Sequence, residues 1–205
     1  RRAEDGEQGN SAGGGQMRHG GVRSDVERRA AQQGCHLVEV QQSGIHQLIG
    51  RRRSLHRGHG FAVGIHAGSS YHHALTGSGW PTYYLEDYAA QSQGFHTQLG
   101  SLIAEGVFVK FPKLKVVLIE SGVTWMPPYL WRLAKFWRGV RNEVPWIDRS
   151  PEEFVRDHVR LTVQPFDGPP GAAHIGRLMD QLQSDAMLLF ATDFPHWQYD
   201  GDQML

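Results

Sequence analysis

A chain of 205 residues carries one domain with a core of its own and is short for two. Basic and acidic side chains balance at 21 each, so charge gives no argument for a nucleic acid, an anionic membrane or an acidic partner. The single cysteine, Cys35, excludes an intrachain disulfide, and no apolar run approaches the ~20 residues that span a bilayer.

The chain opens Arg1-Arg2-Ala3-Glu4-Asp5, without initiator Met and without the apolar stretch of a secretory signal. The expectation is a soluble, cytoplasmic protein, present here as a fragment or a conceptual translation. Residues 1–60 differ in kind from the rest. They contain no aromatic residue and no Lys, and they hold 12 of the 25 glycines. Val38, Val40, Ile45, Leu48 and Ile49 are too few to define an amphipathic face, so little apolar burial offsets the entropy of ordering. Three readings of this segment stay open: a solvated, disordered arm, an Arg-rich arm for nucleic acid or phosphate, or an out-of-frame translation of GC-rich coding sequence. Glu4, Asp5, Glu7, Asp25, Glu27 and Glu39 dilute the charge and disfavour the second.

From Phe61 a βα rhythm begins. Phe61 to His66 is a short apolar run that predicts a buried strand, closed by Ala67-Gly68-Ser69-Ser70. Leu85, Tyr88, Ala89, Ser92, Phe95, Leu99, Leu102 and Ile103 recur every three or four residues and predict a long helix, with Thr82 as its N-cap and Glu86 and Asp87 at the positive end of its dipole. A second strand is expected at 115–119, and a helix rich in Trp and Arg from Trp125 to Val140, delayed by Pro127-Pro128. Ser150-Pro151-Glu152-Glu153 marks another helix start. A weaker strand at 160–163, a helix from Ala172 to Gln183 and a strand from Met187 to Thr192 complete the pattern. Apolar strands alternating with helices imply a parallel sheet covered by helices, and periodicity leaves a doubly wound sheet and a barrel equally open. A whole (β/α)₈ barrel needs about 250 residues, so residues 61–205 would make roughly half of one.

In such folds the chemistry sits where strands end and βα loops begin. His66, Glu120 and Asp193 occupy that position. An imidazole and a carboxylate converging from separate strands offer the N and O donors of a Zn²⁺ site. Each also has a bland reading: His66 as a satisfied strand-end residue, Glu120 as a carboxylate binding loop backbone, and Asp193 before Phe194-Pro195 as a turn former. His96 reads as a packing residue of the long helix, and His72-His73 as loop residues. His196, close to Asp193, is a candidate for lining a substrate pocket. The Trp and Arg residues between Trp125 and Trp146 suit a subunit contact, hence a homo-oligomer.

Three segments resemble one family. Phe111-Pro112-Lys113-Leu114-Lys115-Val116-Val117-Leu118-Ile119-Glu120-Ser121-Gly122 is similar to the R/K-F-P-x-L-K-x-V-x-x-E-x-G stretch of amidohydrolase-related proteins, the group that includes aminocarboxymuconate semialdehyde decarboxylase. Ile65-His66-Ala67-Gly68 resembles that group's I-H-x-G motif after the fifth barrel strand, and Ala191-Thr192-Asp193-Phe194-Pro195-His196-Trp197 its S/T-D-Y/F-P-H segment after the eighth. Val144-Pro145-Trp146 and Gln164-Pro165 also look like this branch. The resemblance implies the C-terminal half of a (β/α)₈ barrel over residues 61–205, holding one divalent metal ion, usually Zn²⁺. His66 would be the ligand from the fifth strand, and Asp193 both a ligand and the proton-transfer carboxylate. The implied activity is hydrolysis of a C–N or C–O bond of a small organic substrate by a metal-activated water. The alternative is non-oxidative decarboxylation of an aromatic or enoic acid.

Two departures bear on that activity. No H-x-H or E-x-H pair, expected on the first barrel strand, occurs in residues 1–60. Characterised decarboxylases of the group carry a catalytic His at the sixth strand end, where Glu120 stands here; this makes Glu120 a second catalytic candidate, for proton transfer or for positioning a ligand, and tilts the expectation slightly towards hydrolysis. A further reading is an inactive truncated remnant lacking the first metal ligands.

Overall fold

The computed structural model of the chain describes residues 62–67, 79–196 and 199, together with the backbone of 37–41. Five parallel strands form one sheet in sequence order: β1 (Leu37–Gln41), β2 (Ala62–His66), β3 (Lys115–Ile119), β4 (Val159–Thr162) and β5 (Leu188–Leu189). Between them run α1 (Tyr84–Ala104), α2 (Val107–Lys110), α3 (Met126–Val140), α4 (Pro151–His158) and α5 (Ala172–Leu182). Strand β1 lies inside the segment set apart by its composition, and it pairs in register with β2, Leu37 opposite Ala62 through Gln41 opposite His66. The remainder of residues 1–60 is outside the described residues, as are Cys35, the loop histidines His72 and His73, and Trp197.

The sheet's two faces do different work. Register puts Val63, Val116 and Val159 in one row, and Ile65, Leu118, Leu161 and Leu188 in the next. Successive side chains alternate across a strand, so both rows lie on one face. That face meets Phe95, Leu99 and Leu102 of α1, Phe108 of α2, Leu130 of α3, Phe154 and Val155 of α4, and Leu178 and Leu182 of α5 in one core. The opposite face carries Gly64, His66, Val117, Ile119 and Thr162. Val117 is buried yet stands outside the helix-side core. A layer of helices on one face and chemistry-bearing side chains on the other is the arrangement of a barrel rather than a doubly wound sheet.

Local sequence accounts for most element ends. Helix α1 starts one residue later than expected: Tyr83, not Thr82, is its N-cap. The Glu86 carboxylate reaches back to accept the backbone N–H groups of Thr82 (2.8 Å) and Tyr83 (2.7 Å), which satisfies two donors that helix geometry leaves free. Pro127 and Pro128 sit in the first turn of α3 and Pro151 opens α4, positions where a missing N–H costs nothing. Gly100 of α1 lies against Tyr129 of α3. A Cβ at residue 100 would stand 2.6 Å from the Tyr129 hydroxyl, which donates to the His96 carbonyl at 2.6 Å.

The last strand is shorter than its apolar run suggests. A 3₁₀ turn takes Asp185–Met187, and the strand holds only Leu188 and Leu189, with one further bond from the Val163 N–H to the Leu189 carbonyl. Beyond Val163 the neighbouring chain runs into Gln164-Pro165, and proline has no N–H to continue the ladder. Residues 190–192 therefore leave the sheet.

Leu118 is fully buried at the centre of the core, whereas Leu85 on α1 is 79% exposed. Leu118→Ala should cost about 2–5 kcal/mol in urea unfolding and Leu85→Ala less than about 0.5 kcal/mol. Equal costs would contradict this placement of the core.

Candidate active site

The site is built by register. His66, the last residue of β2, pairs with Ile119, the last of β3, and the Ala67 N–H bonds to the Ile119 carbonyl at 3.0 Å, one step beyond the strands. Glu120 follows immediately, so its carboxylate and the His66 ring arise from adjacent strand ends at the same height. They meet: His66 Nε2 lies 2.9 Å from Glu120 Oε1. His66 Nδ1 is held by the carbonyl of Ala67. Asp193 joins them after β5, and a hydrogen bond links its carboxyl to that of Glu120. His196 Nδ1 stands 3.4 Å from Asp193 Oδ2, one turn further on, where the His196 N–H also bonds to the Asp193 carbonyl at 2.8 Å. His66, Glu120, Asp193 and His196, each singled out in the sequence, thus fall in one cluster.

Both carboxylate residues sit on unusual backbone. Glu120 has φ 58° and Asp193 φ 57°, in the left-handed region that costs a Cβ-bearing residue about 1 kcal/mol or more. Such positions persist when the surroundings fix them. For Glu120 the fixing is visible: its N–H donates to Thr162 Oγ1 at 2.9 Å. The loop that follows is tied down by Asp167, whose carboxylate accepts the N–H groups of Val123 (2.8 Å) and Thr124 (3.3 Å) and the Thr124 hydroxyl (2.8 Å). Gly122 (φ +69°) packs on that carboxylate so closely that a Cβ would stand 2.4 Å from Oδ2. The Trp125 indole donates to the carbonyls of Ser121 (2.9 Å) and Gly122 (3.2 Å) from the other side.

The two carboxyls titrate in opposite directions. Burial pushes Asp193 up to about 6, and the neighbouring Glu120 charge adds to the effect. Burial also works to raise Glu120, but the hydrogen bond from His66 and the charge on that ring outweigh it and hold Glu120 below the usual carboxylate range. A pair of adjacent carboxyls divided in this way keeps one ionised and leaves the other able to carry a proton near neutral pH.

The donor chemistry fits a divalent ion in part. Oδ2 of Asp193 is buried and, apart from the long 3.4 Å ion-pair contact with His196 Nδ1, has no hydrogen-bond partner, an uncommon state for a carboxylate oxygen. Both His66 nitrogens lie close by but are engaged, Nε2 by Glu120 and Nδ1 by the Ala67 carbonyl, so an ion would have to displace one of these bonds. Among the described residues no group of three or more His, Cys, Asp or Glu is placed to hold a metal. Other histidines take packing roles, as expected for His96. His96 stacks between Trp125 and Tyr129 at ring distances of 4.4 and 4.7 Å, and burial lowers its pKa. His158 is buried, bonded through Nδ1 to the Leu114 carbonyl at 2.7 Å, and lowered by burial. Thr162 and Asp167 escaped the sequence reading; their only signal was position, in or just after a strand end.

Among the described residues no helix is long and apolar enough to cross a membrane. A cavity of about 420 Å³ between Thr124, Asp167, His174 and Arg177 lies beside the loop after β3 and does not include the His66 cluster.

The pH dependence of stability follows from the sign of the Asp193 shift. A carboxyl with a raised pKa binds its proton more tightly folded than unfolded, so its contribution is fully present below 3.8 and is lost as pH rises through about 6. Asp193→Asn should leave thermal unfolding nearly unchanged at pH 3.5 and raise the midpoint by ~2–4 °C at pH 8, a figure already reduced for solvent screening of a partly exposed group. Circular dichroism at the two pH values checks this; an equal shift at both would mean that the carboxyl titrates normally.

A family model described as Amidohydrolase matches residues 53–204, while no curated protein matches the chain. The crystal structure of the amidohydrolase map2389c from Mycobacterium avium subsp. paratuberculosis K-10 superposes over 84% of this chain and 45% of its own, at 24% identity and a TM-score of 0.57. An amidohydrolase-type protein from Staphylococcus aureus matches over 84% and 57% at 13% identity and a TM-score of 0.51. The 5-carboxyvanillate decarboxylase LigW from Sphingomonas paucimobilis overlaps 66% of this chain and 39% of its own at 24% identity, with a TM-score of 0.45. The chain thus spans about half the length of the structures it matches, and its parallel sheet and helices form part of a (β/α)₈ barrel. It belongs to the amidohydrolase family.

Proposed function

We propose that the chain is the C-terminal part of a metal-dependent hydrolase that cleaves a C–N or C–O bond of a small organic substrate. The observation that carries this reading is the buried Oδ2 of Asp193, which has only a long 3.4 Å contact with His196 Nδ1 and no hydrogen bond, in the cluster with His66 at the strand ends. His66 and Asp193 would hold the ion, Zn²⁺ by the nature of the N and O donors, with His66 Nδ1 giving up the Ala67 carbonyl to ligate it, and the rest of its ligand set would come from outside the described residues. Such an ion supplies Lewis acidity and lowers the pKa of water.

The chain's own residues supply the proton handling. Asp193, with its carboxyl up at about 6, takes the proton of the attacking water and returns it to the leaving atom. Glu120 stays ionised and keeps the His66 ring in place through Nε2. His196, exposed and against Asp193, would line the substrate side of the site. Hydrolysis is favoured over decarboxylation because a carboxylate rather than an imidazole stands at the end of β3. Decarboxylation of an aromatic or enoic acid is the reading that remains if carbon dioxide is released.

In the full-length protein, His66→Ala and Asp193→Asn should each lower kcat/KM by ~10²–10⁴-fold on an amide and ester panel, with metal content read by mass spectrometry. Undiminished turnover after removal of divalent metal would sink the proposal. A purified 205-residue chain that takes up no metal and turns nothing over would fit the inactive-remnant reading instead.

A further inference from the structure

We propose that Thr162 is a positioning residue of the site: its hydroxyl fixes the backbone of Glu120 and so aims the Glu120 carboxylate at His66. The regular ladder between β3 and β4 pairs Val116 with Val159, Val117 with Arg160 and Leu118 with Leu161, and stops there. Two residues beyond the last pair, the Glu120 N–H needs an acceptor, and Thr162 Oγ1 provides it at 2.9 Å. Thr162 is fully buried, and the same hydroxyl donates its own hydrogen to the Gln164 carbonyl at 3.3 Å. The group must therefore accept and donate at once from a short side chain, which restricts the position to Thr or Ser.

The consequence lies in the backbone of Glu120. At φ 58° this residue is held away from the extended and right-handed wells that a Cβ-bearing residue prefers. Released, it would relax into one of them, turning its Cα–Cβ bond and carrying the carboxylate off His66, now 2.9 Å away. The downstream end of the loop has its own fastenings in Asp167 and Trp125. Loss of the Thr162 hydroxyl thus acts on Glu120 locally and leaves the rest of the loop in place. The value of this positioning for metal binding rests on the proposed function; the geometry does not.

The test compares Thr162→Val, nearly isosteric but without the hydroxyl, with Thr162→Ser, which restores it. Thr162→Ala replaces the valine variant should that fail to fold. Crystal structures should show the His66–Glu120 pair lost in the valine or alanine variant and kept in Thr162→Ser. A pair retained at hydrogen-bond distance without the hydroxyl overturns the proposal. With Co²⁺ alone as the probe in the full-length protein, Thr162→Val should weaken binding by ~10-fold or more, Thr162→Ser by less than ~3-fold, and Thr162→Val in a Glu120→Gln background by nothing further. Additive losses would overturn the proposal, because Thr162 would then act by a route other than Glu120. If the unaltered protein binds no Co²⁺, the proposed function fails, and the crystallographic comparison alone decides the role of Thr162.

Discussion

Everything at the site depends on the alignment of β2 with β3. Parallel pairing of His66 with Ile119 sets the imidazole and the first loop carboxylate side by side, and it sends Ile65 and Leu118 to the opposite face. A slip of one residue would reverse both assignments, burying the imidazole under α1 and turning two of the largest core side chains inward. The core therefore enforces the register, and the register enforces the site. Apolar residues with no contact to the chemistry, Phe95 and Leu99 among them, hold it in place through the strand face they cover.

The residues after the strands bend that regularity to a purpose. Glu120 and Asp193 leave the sheet through left-handed backbone, which turns each side chain across the end of the sheet rather than along it. The cost is met locally, by side chains placed to catch the displaced amides: Thr162 for Glu120, Asp167 for Val123 and Thr124. Three carboxylates thus take three parts within one small region. Asp167 is engaged by the backbone and hydroxyl of its neighbouring loop, Glu120 is engaged by an imidazole, and Asp193 keeps one buried oxygen without a hydrogen bond. Carboxylates of identical chemistry are separated in behaviour by what surrounds them.

Much of this was legible in the sequence because the signals are local. The strand β3 and the helices α3, α4 and α5 follow from apolar runs and from proline and serine at helix starts, within a residue or two. His66, Glu120, Asp193 and His196 were identifiable because a polar residue closing an apolar strand is conspicuous. What could not be read depends on distant partners. Strand β1 has a modest apolar pattern, and its pairing with β2 is a fact of the sheet. The end of β5 is decided by Pro165 on the neighbouring segment. The roles of Thr162 and Asp167 arise from contacts 42 and 44 residues away in the chain, where sequence spacing carries no signal.

The contact between Gly100 and Tyr129 has a consequence for how this protein can change over evolutionary time. The tyrosine hydroxyl occupies the space that any side chain at position 100 would need, and it is anchored there by the His96 carbonyl. A substitution at 100 is therefore obstructed while the tyrosine stays, and loss of the tyrosine opens a gap between α1 and α3 that a larger residue at 100 could fill. The two positions thus change in a preferred order, residue 129 first and residue 100 second. Homologues that carry a side chain at 100 should therefore lack the tyrosine at 129, whereas a change at 129 alone stays open.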